Sequence, residues 1–190
     1  MKSNILKTWL LIALTILLSS NAFAGDKKVN LEESKVNWKG YKVTGSHEGD
    51  IKLSEGALTF EGETLTGGSF TIDMTTINVT DLKAGQGKEK LEAHLNSNDF
   101  FGVEDHKKAM FKITKVTGEN GNYRVYGDLT IKGKTLPKTF ELTVSGNTAT
   151  ASFKIDRTKF GIEYGSSNFF ENLKDKAIYD EFDLNVTLKF

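Results

Sequence analysis

Apolar and polar residues alternate one for one through most of this chain. The pattern runs through Phe70-Thr-Ile72-Asp-Met74, Tyr123-Arg-Val125-Tyr-Gly127-Asp-Leu129-Thr-Ile131 and Phe140-Glu-Leu142-Thr-Val144. It resumes in Ala149-Thr-Ala151-Ser-Phe153-Lys-Ile155 and in Phe182-Asp-Leu184-Asn-Val186-Thr-Leu188-Lys-Phe190. Successive side chains of a strand point to opposite faces, so a period of two means one dry face and one wet face. Weaker segments of the same kind lie at 35–43, 48–53, 57–60 and 110–116. Turn formers stand between them: Ser54-Glu55-Gly56, Glu119-Asn120-Gly121-Asn122, Lys132-Gly133-Lys134 and Ser145-Gly146-Asn147. Short alternating segments joined by such turns predict an antiparallel all-β domain of about eight or nine strands.

Two segments depart from this period. Residues 87–96 place Leu91 and Leu95 four apart among Lys88, Glu89, Lys90 and Glu92, the spacing of a short amphipathic helix. Asn168-Phe-Phe-Glu171 has the form of an N-cap with a reciprocal glutamate, and predicts a second short helix with Phe169, Phe170 and Leu173 on one face. Each helix either lids a barrel end or simply covers the core.

The first residues belong to another system. Lys2 and Lys7 precede a ten-residue apolar run, 9–18, which leads to Ala22-Phe23-Ala24. A positive start, a short apolar stretch and an Ala-x-Ala ending make a secretory signal peptide, expected at 1–24. The uncharged stretch 8–24 is 17 residues, short of the roughly 20 apolar residues of a membrane span. Cleavage after Ala24 leaves a domain at 25–190, exported to the periplasm, with no stable membrane insertion expected of it. The whole chain carries 25 Lys+Arg against 25 Asp+Glu, so it has no basic surplus to attract nucleic acid. It has no cysteine, which excludes disulfides, thiolate metal sites and a cysteine nucleophile.

Catalytic and metal motifs are missing as well. His47, His94 and His106 are the only histidines, none with a partner two to four residues on, and no HExxH, GxSxG, calcium loop or Walker run occurs. Gly85-Gln86-Gly87 reads as loop, and Asp81 as a turn or cap residue. The adjacent Asp156 and Arg157 end an alternating strand. There they either fix a turn or, in the case of Arg157, offer a planar fork to an anionic head group. No catalytic residue, metal site or cofactor is assigned.

Several blocks together carry a family likeness. They are Trp38-Lys39-Gly40, Gly45-Ser46-His47-Glu48-Gly49, Phe70 to Ile77, His94-Leu95-Asn96-Ser97-Asn98-Asp99-Phe100-Phe101, Gly127-Asp128-Leu129-Thr130-Ile131-Lys132-Gly133 and Ile155-Asp156-Arg157-Thr158-Lys159-Phe160-Gly161. In these blocks, which span about 29–190, the chain resembles the YceI-like family. The resemblance implies an extended antiparallel, lipocalin-like β-barrel of about eight strands with one or two short helices. It also implies a lumen for a long polyisoprenoid lipid or quinone tail, and no catalysis. On that reading the lining is Phe70, Ile72, Met74, Phe111, Ile113, Val125, Leu129, Phe140, Leu142, Val144, Phe153, Phe182, Leu184 and Val186, with His47 or Arg157 at the head group. Burying each methylene-sized group of such a tail is worth about 0.8 kcal/mol.

The resemblance implies a non-enzymatic carrier of an isoprenoid or other amphiphilic lipid, while the residues also leave open a barrel with a filled core and no ligand, or an enzyme using His47, Asp156 or Arg157. An exposed aromatic patch would support a homodimer.

Overall fold

The computed structural model describes residues 24–190, so the expected signal peptide lies, but for Ala24, outside the described residues. Nine strands follow one another: β1 (Ala24–Lys28), β2 (Asn30–Lys42), β3 (Gly45–Glu61), β4 (Thr64–Val79), β5 (Lys108–Glu119), β6 (Asn122–Ile131), β7 (Lys134–Ser145), β8 (Thr148–Asp156) and β9 (Ile178–Lys189). A helix, α1 (Lys88–Asn96), interrupts them after β4, and a 3-10 turn (Arg157–Phe160) follows β8. The strands are hydrogen-bonded in the order β1-β3-β2-β9-β8-β7-β6-β5-β4, and a β3–β4 ladder joins the two sides. Strands β2 to β9 thus form a closed, eight-stranded antiparallel barrel, the predicted fold class. β1 is an extra strand, laid along the second half of β3 from Ala24↔Glu61 to Lys28↔Ala57.

The alternating residues fold as their period requires. In β6 the side chains of Tyr123, Val125, Leu129 and Ile131 are buried, while Arg124, Asp128 and the other even-numbered neighbours lie nearer solvent. Gly127 keeps this inward phase without a side chain. A Cβ there would lie 2.4 Å from Cζ of Phe111 and 2.5 Å from the Lys112 carbonyl oxygen. Because rings and strand backbone cannot retreat together, Gly127→Ala should cost about 1–3 kcal/mol. A urea titration should show a lower midpoint at unchanged slope; an unmoved midpoint would mean the Phe111 ring swings away freely.

The turn expected at Ser54-Glu55-Gly56 is not formed. β3 passes straight through it, paired to β4 at Glu55↔Thr71 and Gly56↔Phe70, with a bulge between Leu53 and Glu55. The bulge shifts the inward phase from odd-numbered Leu53 to even-numbered Leu58 and Phe60. A phase change and a turn interrupt the alternation in the same way. The second helix, expected from Asn168, is also absent. Asn168 gives its side-chain N–H to the Asp180 carboxylate instead of capping. Asn172 and Lys174 adopt φ of 60° and 50°, which no α-helix tolerates. Phe169 and Phe170 are left about half exposed. The first helix is found where predicted, with Leu95 as its buried residue.

Hairpins at 62–63, 120–121 and 146–147 close one end of the barrel; α1, the 3-10 turn and the longer loops gather at the other. Each end has its own core, with Leu58, Leu65, Tyr123 and Ala149 at the hairpin end and Val79, Phe100, Ile155 and Ile162 at the helix end. The wall joint with the fewest paired residues is β7–β8, shorter even than β4–β5, which pairs only at 69–73 with 108–112. β6–β7 and β8–β9 are laddered along nearly their whole lengths, but β7 and β8 pair only at 143–145 with 148–150 and then part.

Candidate functional site

Between the two cores the inward side chains stop covering one another. Phe70, Ile72, Phe111, Phe140, Phe153, Leu184 and Val186 all pack toward the core, yet each is only partly buried. They surround a cavity of about 1440 Å³, counted out to its mouths, that reaches from Val125, Leu142 and Leu188 at the hairpin end to Phe100, Phe101 and Arg157 at the helix end. Of the fourteen alternating residues named as a lining, all but Val144 border the cavity. Val144 belongs to the hairpin-end core, one step beyond the cavity's reach.

The walls also contribute Trp38, Tyr41, Lys138, Arg157 and Tyr179, and among the described residues no histidine, carboxylate, serine or threonine borders the cavity. The indole of Trp38 donates to the Asp50 carbonyl at 3.3 Å. The Tyr41 hydroxyl donates to Asp183 at 2.6 Å, and this bond, with burial, holds the phenol above its ordinary range. These groups are donors already turned toward the wall.

Arg157 lies at the inward phase of β8 continued, and only 2% of it is exposed. Its Nε donates to the Tyr179 carbonyl at 3.1 Å, Nη1 to Ile162 at 2.7 Å and Nη2 to Ile178 at 3.0 Å. Its guanidinium stands over the Phe100 ring at 5.5 Å and 3.6 Å from Asp180. Burial pulls its pKa down, and Asp180 and Asp156 pull it back up. The fork expected for a head group thus grips the 162–179 loop, so the turn-fixing alternative is the one built. Asp156 caps the 3-10 turn, its carboxylate accepting from the Thr158 backbone N–H at 3.0 Å.

His47 is outside the cavity. Its Nδ1 lies 2.8 Å from Asp81, whose other oxygen accepts the Glu48 backbone N–H at 3.1 Å. The pair ties the loop after β4 to β3; His47 does not stand with Asp156 or Arg157. Burial raises the Asp81 pKa, but the bonds from His47 and Glu48 outweigh it and hold the carboxyl below its ordinary value. A depressed carboxylate stabilises the fold above its unfolded pKa, and that contribution is lost as pH falls through the folded value. Below about pH 4, the unfolded carboxylate value, wild type should therefore lose stability more steeply than Asp81→Asn. Urea midpoints measured from pH 5 downward test this, and parallel curves would count against it.

Sequence reasoning passed over Lys138. It sits two residues before Phe140, in the same inward phase, and the signal was available: a lysine in an apolar register.

A closed antiparallel barrel around a carbon-lined lumen places the chain among barrel proteins built around an internal cavity. More narrowly, the YceI-like domain model matches residues 28–190, and the chain belongs to that family. A UPF0312 protein of Pseudomonas putida is 33% identical over 150 residues, covering 74% of this chain and 73% of its own. A UPF0312 protein of Staphylococcus epidermidis is 39% identical over 90 residues, 42% of this chain, and the match spans only 50% of that relative's length. Among solved structures, Burkholderia cenocepacia BcnA superposes with a TM-score of 0.66 at 23% identity, covering 84% of this chain and 98% of its own. A polyisoprenoid binding domain from Saccharophagus degradans, implicated in plant cell wall breakdown, gives 0.60 at 14% identity, covering 88% and 99%. At these identities the two structures share the fold.

Proposed function

We propose that this protein binds and carries a long-chain isoprenoid, or a similar amphiphilic lipid, in the barrel lumen, without catalysing a reaction on it. The observation that carries the reading is the ring of inward apolar side chains left partly uncovered around one long cavity. A filled barrel would have buried them against each other, as both ends do. Membership of the YceI-like family and the likeness to a polyisoprenoid binding domain support the same reading. The enzyme reading is weaker because His47 and Asp156 lie off the cavity and the lining offers no acid–base pair. We place the protein in the periplasm, exported by the Ala22-Phe23-Ala24 signal.

Mass spectrometry of lipids extracted from the mature protein, purified from a native-like periplasm without detergent, tests this. About one long-chain isoprenoid per barrel is the expected result. No retained lipid, with no uptake of added prenyl lipids, would return the choice to a ligand-free barrel.

A further inference from the structure

Where β7 and β8 part, side chains span the wall in place of a backbone ladder. The rings of Phe140 and Phe153 stack at 4.3 Å and 9° across the joint. Beside them the Lys138 ammonium donates to the Lys154 carbonyl and stands 5.6 Å from the centre of the Phe153 ring. The chain's single proline, Pro137, lies on this unladdered stretch, and a residue with no N–H suits an unpaired strand edge.

Lys138 borders the apolar lumen, and among the described residues no carboxylate lies within ion-pairing distance of it. The nearby acids are engaged elsewhere: Glu181 and Asp183 face Lys154, and Asp156 faces Lys159. Burial pulls the Lys138 pKa down, Glu181 pushes it up, and Lys159 adds to the lowering. A partly desolvated ammonium without a counter-ion, at a gap between lumen and solvent, is where an acidic head group gains most.

We propose that the parted β7–β8 joint is a lateral head-group port, in which Lys138 binds the carboxylate or phosphate of an acidic amphiphile whose tail runs in the lumen. This rests on the lumen reading proposed above. The joint gives the head access to water, and the Phe140–Phe153 stack lies beside the first part of the tail.

The test uses the mature protein, stripped of retained lipid, and two fluorescent probes with one C18 chain: a fatty acid and the matching alcohol. Wild type should bind the acid about tenfold more tightly than the alcohol at pH 7. Lys138→Met should abolish that preference, bringing the affinities for acid and alcohol together, while Lys138→Arg should keep it. An acid preference that survives Lys138→Met overturns the port. Equal binding of both probes by wild type also overturns it and leaves the lumen standing. Binding of neither probe by wild type overturns the lumen reading and the port with it.

Discussion

Replacing Arg157 with methionine should lower stability by about 3–5 kcal/mol, among the largest losses of any single substitution in the barrel. Methionine replaces the stem but not the guanidinium, so the lost hydrogen bonds are joined by a small void against the Phe100 ring. The carbonyls of Ile162, Ile178 and Tyr179 lose their donors at once, and Asp180, whose Oδ1 is buried without a hydrogen bond, loses the nearest cation. For a domain of this size the melting temperature should drop by roughly 6–20 °C, read by circular dichroism. Arg157→Lys should recover only part of it, since one ammonium cannot reach three divergent acceptors as a planar fork does. A variant that melts like wild type but no longer retains lipid would reverse the assignment and make Arg157 a ligand residue.

Filling the lumen should separate binding from folding. Ile72→Trp and Leu142→Trp each push an indole toward the cavity. In a packed core such a change costs about 1–3 kcal/mol. Here the added rings should enter free space, so the melting temperature should stay within a few degrees while retained lipid falls from about one per barrel to nearly none. Ile72, only partly buried, should show this more cleanly than Leu142, which the hairpin-end core already covers. Large destabilisation by Ile72→Trp, with no lipid in wild type, is the pattern of a filled barrel.

Much of this architecture was legible in a period of two. β6, β8 and the stretch 182–190 of β9 alternate without error because the β6–β7 and β8–β9 ladders run without a bulge, the irregularity of β9 falling at 178–182 on its β2 side. The turns after β5, β6 and β7 carry Asn-Gly, Lys-Gly and Gly-Asn pairs where positive φ is needed, as at Asn120, Gly121, Lys132 and Gly133. β3 and β4 were harder to read because bulges reset their inward phase, and residues 50–52 of β3 face 73–78 of β4 across such a break. β1 carries no alternation, since Gly25, Asp26, Lys27 and Lys28 are all exposed and only the β3 edge holds them straight. The apolar wall was visible as residue types, but whether it enclosed space depends on ring placement across the barrel. The fates of Arg157 and His47 turned on partners twenty or more residues away, Ile178, Tyr179 and Asp81, which no local spacing reveals.

β9 lies between β8 and β2, and so joins strands far apart in chain order: Trp38 faces Leu184 and Asn30 faces Lys189. Every other strand of the wall can find one neighbour by a local hairpin or short connection, but the circle stays open until β9 arrives. Ring closure over so long a span is entropically slow and comes late. A chain completed from its amino end therefore passes through an open, two-edged sheet for as long as β9 is not in place. During that interval β2 and β8 are bare edges able to pair with a second chain. The step most exposed to aggregation is thus set by the last strand's arrival and not by the stability of the finished barrel.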